Sequence, residues 1–297
     1  MKTSSLTEIL DQLTTVGKLY EKLEEDVVRC HACAHRCLIR SGKRGICQMR
    51  FNQDGELRAP WGYVAGAQTD PIEKKPFAHF QPGSDAMTFG MLGCNLHCDF
   101  CQNWLSSQTL REPASSRSIN YIEEVSLEQV VSFARRSGAQ IIASSYNEPL
   151  ITTEWAVDIF RLANEADIKC VYVSNGYASP EVLEYLYPYL SGFKIDLKSM
   201  REENYRTMGG RLQPVLDTIQ RAHEMGLWVE VVTLVIPGFN DSPDELWETA
   251  RFLYLVSPDI PWHVTAFHPD FKMSDQGRTQ ASSLLQAAEI GQEANLN

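Results

Sequence analysis

Three cysteines within a twelve-residue stretch constrain this chain more than any other feature. GCNLHCDFCQNW places Cys94, Cys98 and Cys101 at a spacing of Cys-x3-Cys-x2-Cys, with no fourth cysteine nearby. Three thiolates on one short loop can hold three irons of a 4Fe–4S cube and leave the fourth iron open to an outside ligand; four thiolates would close the cluster and suit plain electron transfer. Residue types alone also permit a tetrahedral zinc site that borrows His97. The loop follows the apolar run MTFGML (87–92), which reads as a strand, and α/β barrels place their chemistry at the C-terminal ends of strands.

Further apolar runs follow at AQIIASS (139–145), KCVYVS (169–174), GFKIDL (192–197), LWVEVVTLVI (227–236) and WHVTAF (262–267). Near-continuous apolar strands alternating with helical stretches indicate a parallel sheet covered on both faces. Ser126 with Gln129 forms a capping box ahead of one helix, and Ser179–Pro180 and Ser242–Pro243 with Glu245 start two others. Gly226 ends the helix running through TIQRAHEM. The expectation is an α/β fold, a partial (β/α)6 barrel over residues 88–297, with a doubly wound open sheet as the competing topology. Residues 1–87 form a separate N-terminal segment. Leu6, Ile9, Leu10, Leu13, Val16, Tyr20 and Leu23 recur at helical spacing, so residues 6–25 read as an amphipathic helix. A cysteine-rich stretch (30–47) and a Gly- and Pro-rich stretch with short strand-like runs (48–87) complete it.

The length of 297 residues and 43% hydrophobic content allow a sizeable core. A net charge of −11 disfavours nucleic acid and anionic membrane as partners, which both need clustered cations. The N-terminus MKTSSLTEILDQL lacks the apolar region of a signal peptide, and no apolar run is long enough to cross a membrane, so a cytoplasmic location is expected. In that compartment the eight cysteines read as metal ligands rather than a disulfide framework, apart from Cys170, which falls in a strand and reads as a core residue.

Phe100, directly before the third cysteine, completes Cys-x3-Cys-x-aromatic-Cys, and the stretch resembles the signature of radical S-adenosylmethionine (SAM) enzymes. The resemblance implies a 4Fe–4S cluster on Cys94, Cys98 and Cys101, with SAM chelated at the open iron. Reductive cleavage then gives methionine and a 5′-deoxyadenosyl radical that abstracts hydrogen from a substrate. It further implies an oxidoreductase with an external electron donor of the flavodoxin or ferredoxin type. In relatives of pyruvate formate-lyase activating enzymes, SSYNEP resembles the segment receiving the SAM amino group, led by Asn147 and Glu148. VSNGY puts Ser174 and Asn175 where the family contacts the SAM carboxylate and ribose, with Gly176 allowing close approach. KIDLKSM matches the family's DLK segment, making Asp196 and Lys198 cofactor-binding candidates, with Lys194 on the same strand face. VIPGFND resembles the adenine segment through Ile236 and Gly238, and His268 in TAFHPDFKM aligns with a position near the ribose. Read as residues alone, these segments also admit turns, caps and a buried ion pair.

CxxxCxFCQNW, YNEP, DLKSM, IPGFND and FHPDFKM together are similar to the AmmeMemoRadiSam-system radical SAM enzymes, a resemblance that covers almost the whole chain and implies association with AMMECR1-like and Memo-like proteins. The last stretch, SSLLQAAEIGQEANLN, reads as a barrel helix ending before a segment with which that family continues. Members also carry an N-terminal four-cysteine segment. Here Cys30, Cys33, Cys37 and Cys47 are spaced x2, x3 and x9, which suits zinc, a second 4Fe–4S cluster or free thiols, with His31 and His35 as alternates. Two other functions fit the residues: a non-catalytic metal-binding or electron-transfer protein, and a radical enzyme that modifies nucleic acid.

Overall fold

The structure, a computed structural model, describes residues 5–297. Six strands and six helices alternate as expected. The strands are β1 (Asp85–Gly90), β2 (Ile141–Ser144), β3 (Lys169–Ser174), β4 (Gly192–Asp196), β5 (Trp228–Val235) and β6 (Trp262–Ala266). The helices that follow them in turn are α1 (Leu127–Arg136), α2 (Thr153–Glu165), α3 (Pro180–Leu186), α4 (Gln213–Glu224), α5 (Pro243–Val256) and α6 (Ala281–Glu293). All six strands are parallel, and each pairs with its sequence neighbour. That order never reverses, whereas a doubly wound sheet reverses at a switch point. The architecture is therefore the partial (β/α)6 barrel. An antiparallel strand, Gly66–Pro71, adds to the free edge of β1 with Gly66 opposite Gly90, so the sheet begins on the N-terminal side of residue 88.

The local signals act as read. Ser126 and Gln129 make a reciprocal capping box at α1, the Ser179 and Ser242 hydroxyls cap α3 and α5, and Gly226 adopts φ +81° after α4. The expected helix over 6–25 is a correction. Helix Leu6–Gln12 ends early, and Thr14–Val16 and Tyr20–Lys22 are strands. Thr14, Thr15 and Val16 are β-branched and pair with Glu56–Pro60, where they form a sheet that a continued helix would forfeit. A second small sheet joins Tyr20–Lys22, Val28–Cys30 and Leu38–Ile39.

Segment 72–80 fills the barrel at the N-terminal ends of its strands. Ile72, Phe77 and Phe80 pack on Ala86, Ile141, Ala143 and Val171. Gly192 leaves room for Phe77, whose Cζ would lie 3.1 Å from any added Cβ. Glu230 of β5, fully buried, accepts from the Ala78 and His79 amides at 3.0 Å, from Trp228 Nε1 at 2.9 Å and from His263 Nε2 at 2.6 Å. With that end filled, the C-terminal ends remain for chemistry. Among the described residues no helix is long and apolar enough to cross a membrane.

Candidate active site

The cysteine loop leaves the C-terminal end of β1. Gly93, at φ +93°, turns the chain into it, and a Cβ there would meet Met49 Cγ at 2.2 Å. Cys94 and Cys101 are partly exposed and Cys98 is buried. Burial pushes all three thiols up: Cys98 to about 12, Cys94 well above its ordinary value with the Glu148 charge and the other two thiols adding to the rise, and Cys101 upward against a bond to Ser107. Such thiols stay protonated unless a cation compensates the thiolate, which bound iron does. The Leu96 amide donates to Cys94 Sγ at 3.4 Å, and Asn175 Nδ2 lies 3.7 Å from it. His97 is exposed beside Gly209, its amide bonded to the Met208 carbonyl. Among the described residues no three His, Cys, Asp or Glu side chains are placed to hold a single metal ion.

Opposite the loop, β4 turns Lys194 and Asp196 inward by strand alternation, with Lys198 just beyond. Asp196 receives both ammonium groups: Lys194 closely at one oxygen, and Lys198 at 3.2 Å on the other. Burial alone would raise the Asp196 carboxyl, but the two cations outweigh it and bring it down to about 2. The Lys198 ammonium sits 6.0 Å from the Phe100 ring centroid, within cation–π range, and its amide donates to Tyr205 Oη at 3.1 Å.

One cavity of about 210 Å³ joins these halves. Its walls are Cys98, Phe100, Cys101, Gln102 and Asn103 on the loop side, Lys194, Asp196 and Lys198 on β4, Val232 and Leu234 on β5, Thr265 on β6, and Pro76 of the filling segment.

Behind Cys94 lies a second, buried network. Glu148 accepts from Ser174 Oγ at 2.6 Å, the Asn175 amide at 2.8 Å and the Leu150 amide at 3.0 Å, joining the ends of β2 and β3. Burial outweighs these donors and raises its carboxyl to about 7. Asn147 Oδ1 accepts from the Met91 amide at 2.9 Å, and Asn175 Nδ2 donates to Asn95 Oδ1 at 2.7 Å. Tyr146, just before Asn147, holds φ +68°, a left-handed conformation that bulky residues rarely adopt.

With this geometry in place, the comparison with known proteins is direct. Residues 89–253 match the radical SAM superfamily. The chain belongs to the radical SAM superfamily. An uncharacterized protein of Methanocaldococcus jannaschii is 35% identical over 279 residues, which is 93% of this chain and 81% of that protein. The isethionate sulfite-lyase activating enzyme of Oleidesulfovibrio alaskensis is 30% identical over 171 residues, 55% of this chain; the match spans only 54% of that enzyme's length. A radical SAM methyltransferase from Sphaerobacter thermophilus shares the fold at TM-score 0.53 and 16% identity, over 73% of this chain and 66% of that one. Radical SAM membership implies a 4Fe–4S cluster and SAM, and the soft, buried donor set at the loop fits the cluster.

Within that radical SAM frame the candidates separate into groups. Cys98, Phe100, Cys101, Asp196 and Lys198 share the cavity, while Asn147, Glu148, Ser174 and Asn175 form the buried network beside it, which reaches the partly exposed Cys94 through Asn175. Ile236 is fully buried and is not part of the cavity wall; its amide donates to Asn240 Oδ1 at 2.7 Å. His268 is exposed at the rim, its Nδ1 2.8 Å from Gln102 Nε2. Gln102, Asn103, Val232, Leu234 and Thr265 are additions to the sequence candidates. Strand parity could have found the last three, since Val232 and Leu234 alternate in step with Glu230, and Thr265 with His263, the partner of Glu230.

The N-terminal cysteines are also placed. Cys30, Cys33 and Cys47 are buried and Cys37 is partly so; its Sγ accepts from the Ile46 amide at 3.5 Å, in the loop that bears Cys47. Burial pushes Cys30 up to about 11 and also raises Cys33 well above its ordinary value, with neighbouring thiols adding. His35 Nε2 bonds the Asn95 carbonyl at 2.9 Å, and His31 sits 3.6 Å from Glu181. Cys170 is buried in β3 among core residues.

Proposed function

We propose that this chain is a cytoplasmic radical SAM oxidoreductase of the AmmeMemoRadiSam type, similar to pyruvate formate-lyase activating enzymes, in which Cys94, Cys98 and Cys101 hold the cluster. The observation that carries this reading is the single cavity where Cys98, Phe100 and Cys101 face the Lys194–Asp196–Lys198 triad. The bound cluster and SAM supply one-electron reductive cleavage of the sulfonium. The chain's own residues bind, orient and exclude water. Lys198, at the cluster end beside Phe100, is the partner for a SAM carboxylate, and Asp196 holds its ammonium in place. Phe100, itself packed on Phe239 at 5.5 Å, closes the wall against water. Glu148 fixes Ser174 and Asn175 so that Asn175 reaches Cys94, and with Asn147 it presents the β2 end to the SAM amino group. Ile236 and Gly238 shape the loop on the adenine side, and His268 guards the rim through Gln102.

In this reading residues 88–297 are the catalytic barrel and residues 1–87 carry a metal site on Cys30, Cys33, Cys37 and Cys47, either zinc or a second 4Fe–4S cluster. An external flavodoxin- or ferredoxin-type donor, AMMECR1-like and Memo-like proteins are its partners. The test is anaerobic reconstitution, reduction, addition of SAM and assay for 5′-deoxyadenosine. Full cluster loading without cleavage would sink the proposal.

A further inference from the structure

Asn95, the residue after Cys94, is wholly buried, and its side-chain nitrogen has no hydrogen-bond partner among the described residues. A chain of hydrogen bonds fixes which way its carboxamide points. The Tyr177 amide donates to Asn175 Oδ1 at 3.0 Å, so Asn175 turns Nδ2 the other way, where it donates to Asn95 Oδ1 at 2.7 Å. Asn95 therefore turns its oxygen toward Asn175 and is left with two N–H bonds that nothing accepts. Its main chain is pinned as well, because His35 Nε2 donates to the Asn95 carbonyl at 2.9 Å. The next carbonyl, of Leu96, is taken by Gln108 Nε2 at 3.2 Å and by the Arg111 guanidinium at 2.7 Å.

A buried donor without an acceptor carries its full desolvation penalty, so a side chain held in that state calls for an acceptor from a bound group. Sulfur is the acceptor at hand. Cys94 Sγ lies 3.8 Å from Asn95 Oδ1 and 3.7 Å from Asn175 Nδ2. As a thiol, Cys94 donates to Oδ1. As an iron ligand it is a thiolate, which only accepts, and the inorganic sulfides of a cluster likewise only accept.

We propose that Asn95, aimed by Asn175, donates through Nδ2 to a sulfur at the Cys94 corner of the bound cluster and thereby raises the reduction potential of that cluster. The proposal rests on the catalytic reading above, which puts the 4Fe–4S cluster on Cys94, Cys98 and Cys101. The reduced cluster carries one more negative charge, so a hydrogen bond to its sulfur favours the reduced form. The clamp continues from the Asn175 amide to Glu148 at 2.8 Å, so the segment read as the SAM amino contact also holds this donor in place.

The test is an EPR-monitored redox titration of the reconstituted full-length protein, of Asn95→Leu and of Asn95→Ser, following the signal that Cys98→Ala lacks. Asn95→Leu should load as much iron as the parent protein, but its ratio of reduced to oxidised cluster at a fixed potential should fall by about tenfold, a midpoint lower by about 59 mV for one electron. Asn95→Ser keeps a hydroxyl donor and should fall between the two. Heavy-nitrogen labelling of the asparagine side-chain amide should change the nitrogen modulation of the reduced cluster in pulsed EPR, and Asn95→Leu should remove that change. The Asn95→Ser midpoint and the labelled parent protein decide the matter where Asn95→Leu does not fold. A parental midpoint in the variants overturns the proposal, as does a loss of iron with no shift in midpoint, which would make Asn95 a spacer. A nitrogen modulation that survives in Asn95→Leu overturns it too, by assigning the donor to Asn175. A parent protein that loads the cluster without cleaving SAM defeats the catalytic reading instead, and the midpoints still decide the donor. Absence of iron on the loop in the parent protein overturns both.

Discussion

Arg50 of the cysteine-rich segment and Glu154 of α2 form a two-pronged ion pair at 2.6 and 2.7 Å, with both side chains 1% exposed. Glu154 Oε1 also accepts from the Lys18 and Leu19 amides at 3.0 and 3.3 Å, so one carboxylate binds two separate stretches of the N-terminal segment to the barrel. Burial would raise this carboxyl, but the guanidinium outweighs it and holds it below the usual range. Removing one partner leaves the other charge buried, so Arg50→Met and Glu154→Leu should each cost about 3–5 kcal/mol in chemical denaturation, and the double variant Arg50→Met/Glu154→Leu should cost less than the two singles summed. Additive losses would show that the pair is not coupled.

Asp196 makes a prediction with a sign. Its folded value of about 2 lies below the ordinary ~3.9, so its contribution is complete above that ordinary value and fades as pH falls toward 2. Asp196→Asn leaves two ammonium groups facing each other in the barrel. It should remove that acid-side dependence from a pH–stability profile and, through a displaced Lys198, lower SAM cleavage by about 10²-fold. A variant with parental cleavage would dissociate the triad from SAM.

Glu148 has the opposite sign. Its carboxyl is raised to about 7, so the folded apoprotein binds an extra proton over a window where the unfolded chain does not. The contribution is full below the ordinary carboxylate value of ~4.3 and is lost as pH rises through 7. Glu148→Gln should flatten apoprotein stability between those limits. An unchanged slope in urea titrations across pH 4.5–7.5 would refute the assignment.

Metal content separates the two cysteine sites. Cys98→Ala should lose about four irons per chain and all 5′-deoxyadenosine formation, while Cys30→Ala should leave that cluster loaded and lose either zinc or about four further irons. Iron, sulfide and zinc quantification on anaerobically purified protein reads both. Equal iron in Cys98→Ala and the parent protein would exclude the loop as the cluster site.

Gly90 tests the frame beneath the site. A Cβ at Gly90 would sit 2.8 Å from the Ser145 carbonyl and 2.9 Å from Tyr146. Gly90→Ala should therefore destabilise by about 1–3 kcal/mol, through overpacking between β1 and the β2 end. A thermal midpoint equal to that of the parent protein would contradict the close approach.

Local chemistry determined much of this protein in the sequence itself. The spacing of Cys94, Cys98 and Cys101 and the Phe100 aromatic are contiguous, so no folding is needed to see them. The six barrel strands and the Ser126, Ser179 and Ser242 caps were legible for the same reason, because periodicity and capping act over a few residues. Tertiary structure decided what depends on distant partners. Thr14–Val16 abandons the helix because Glu56–Pro60 lies alongside it. The strand order, and with it the choice of barrel over doubly wound sheet, is a property of pairing that no single run encodes. Asp196 between two lysines was visible as a charged strand, but its place opposite Cys98, and the loss of Ile236 from the cavity wall, came only from closure of the sheet. The junction of His35 with Asn95 joins residues 60 positions apart. Spacing along the chain sets which donors a loop offers; burial and long-range pairing set what those donors face.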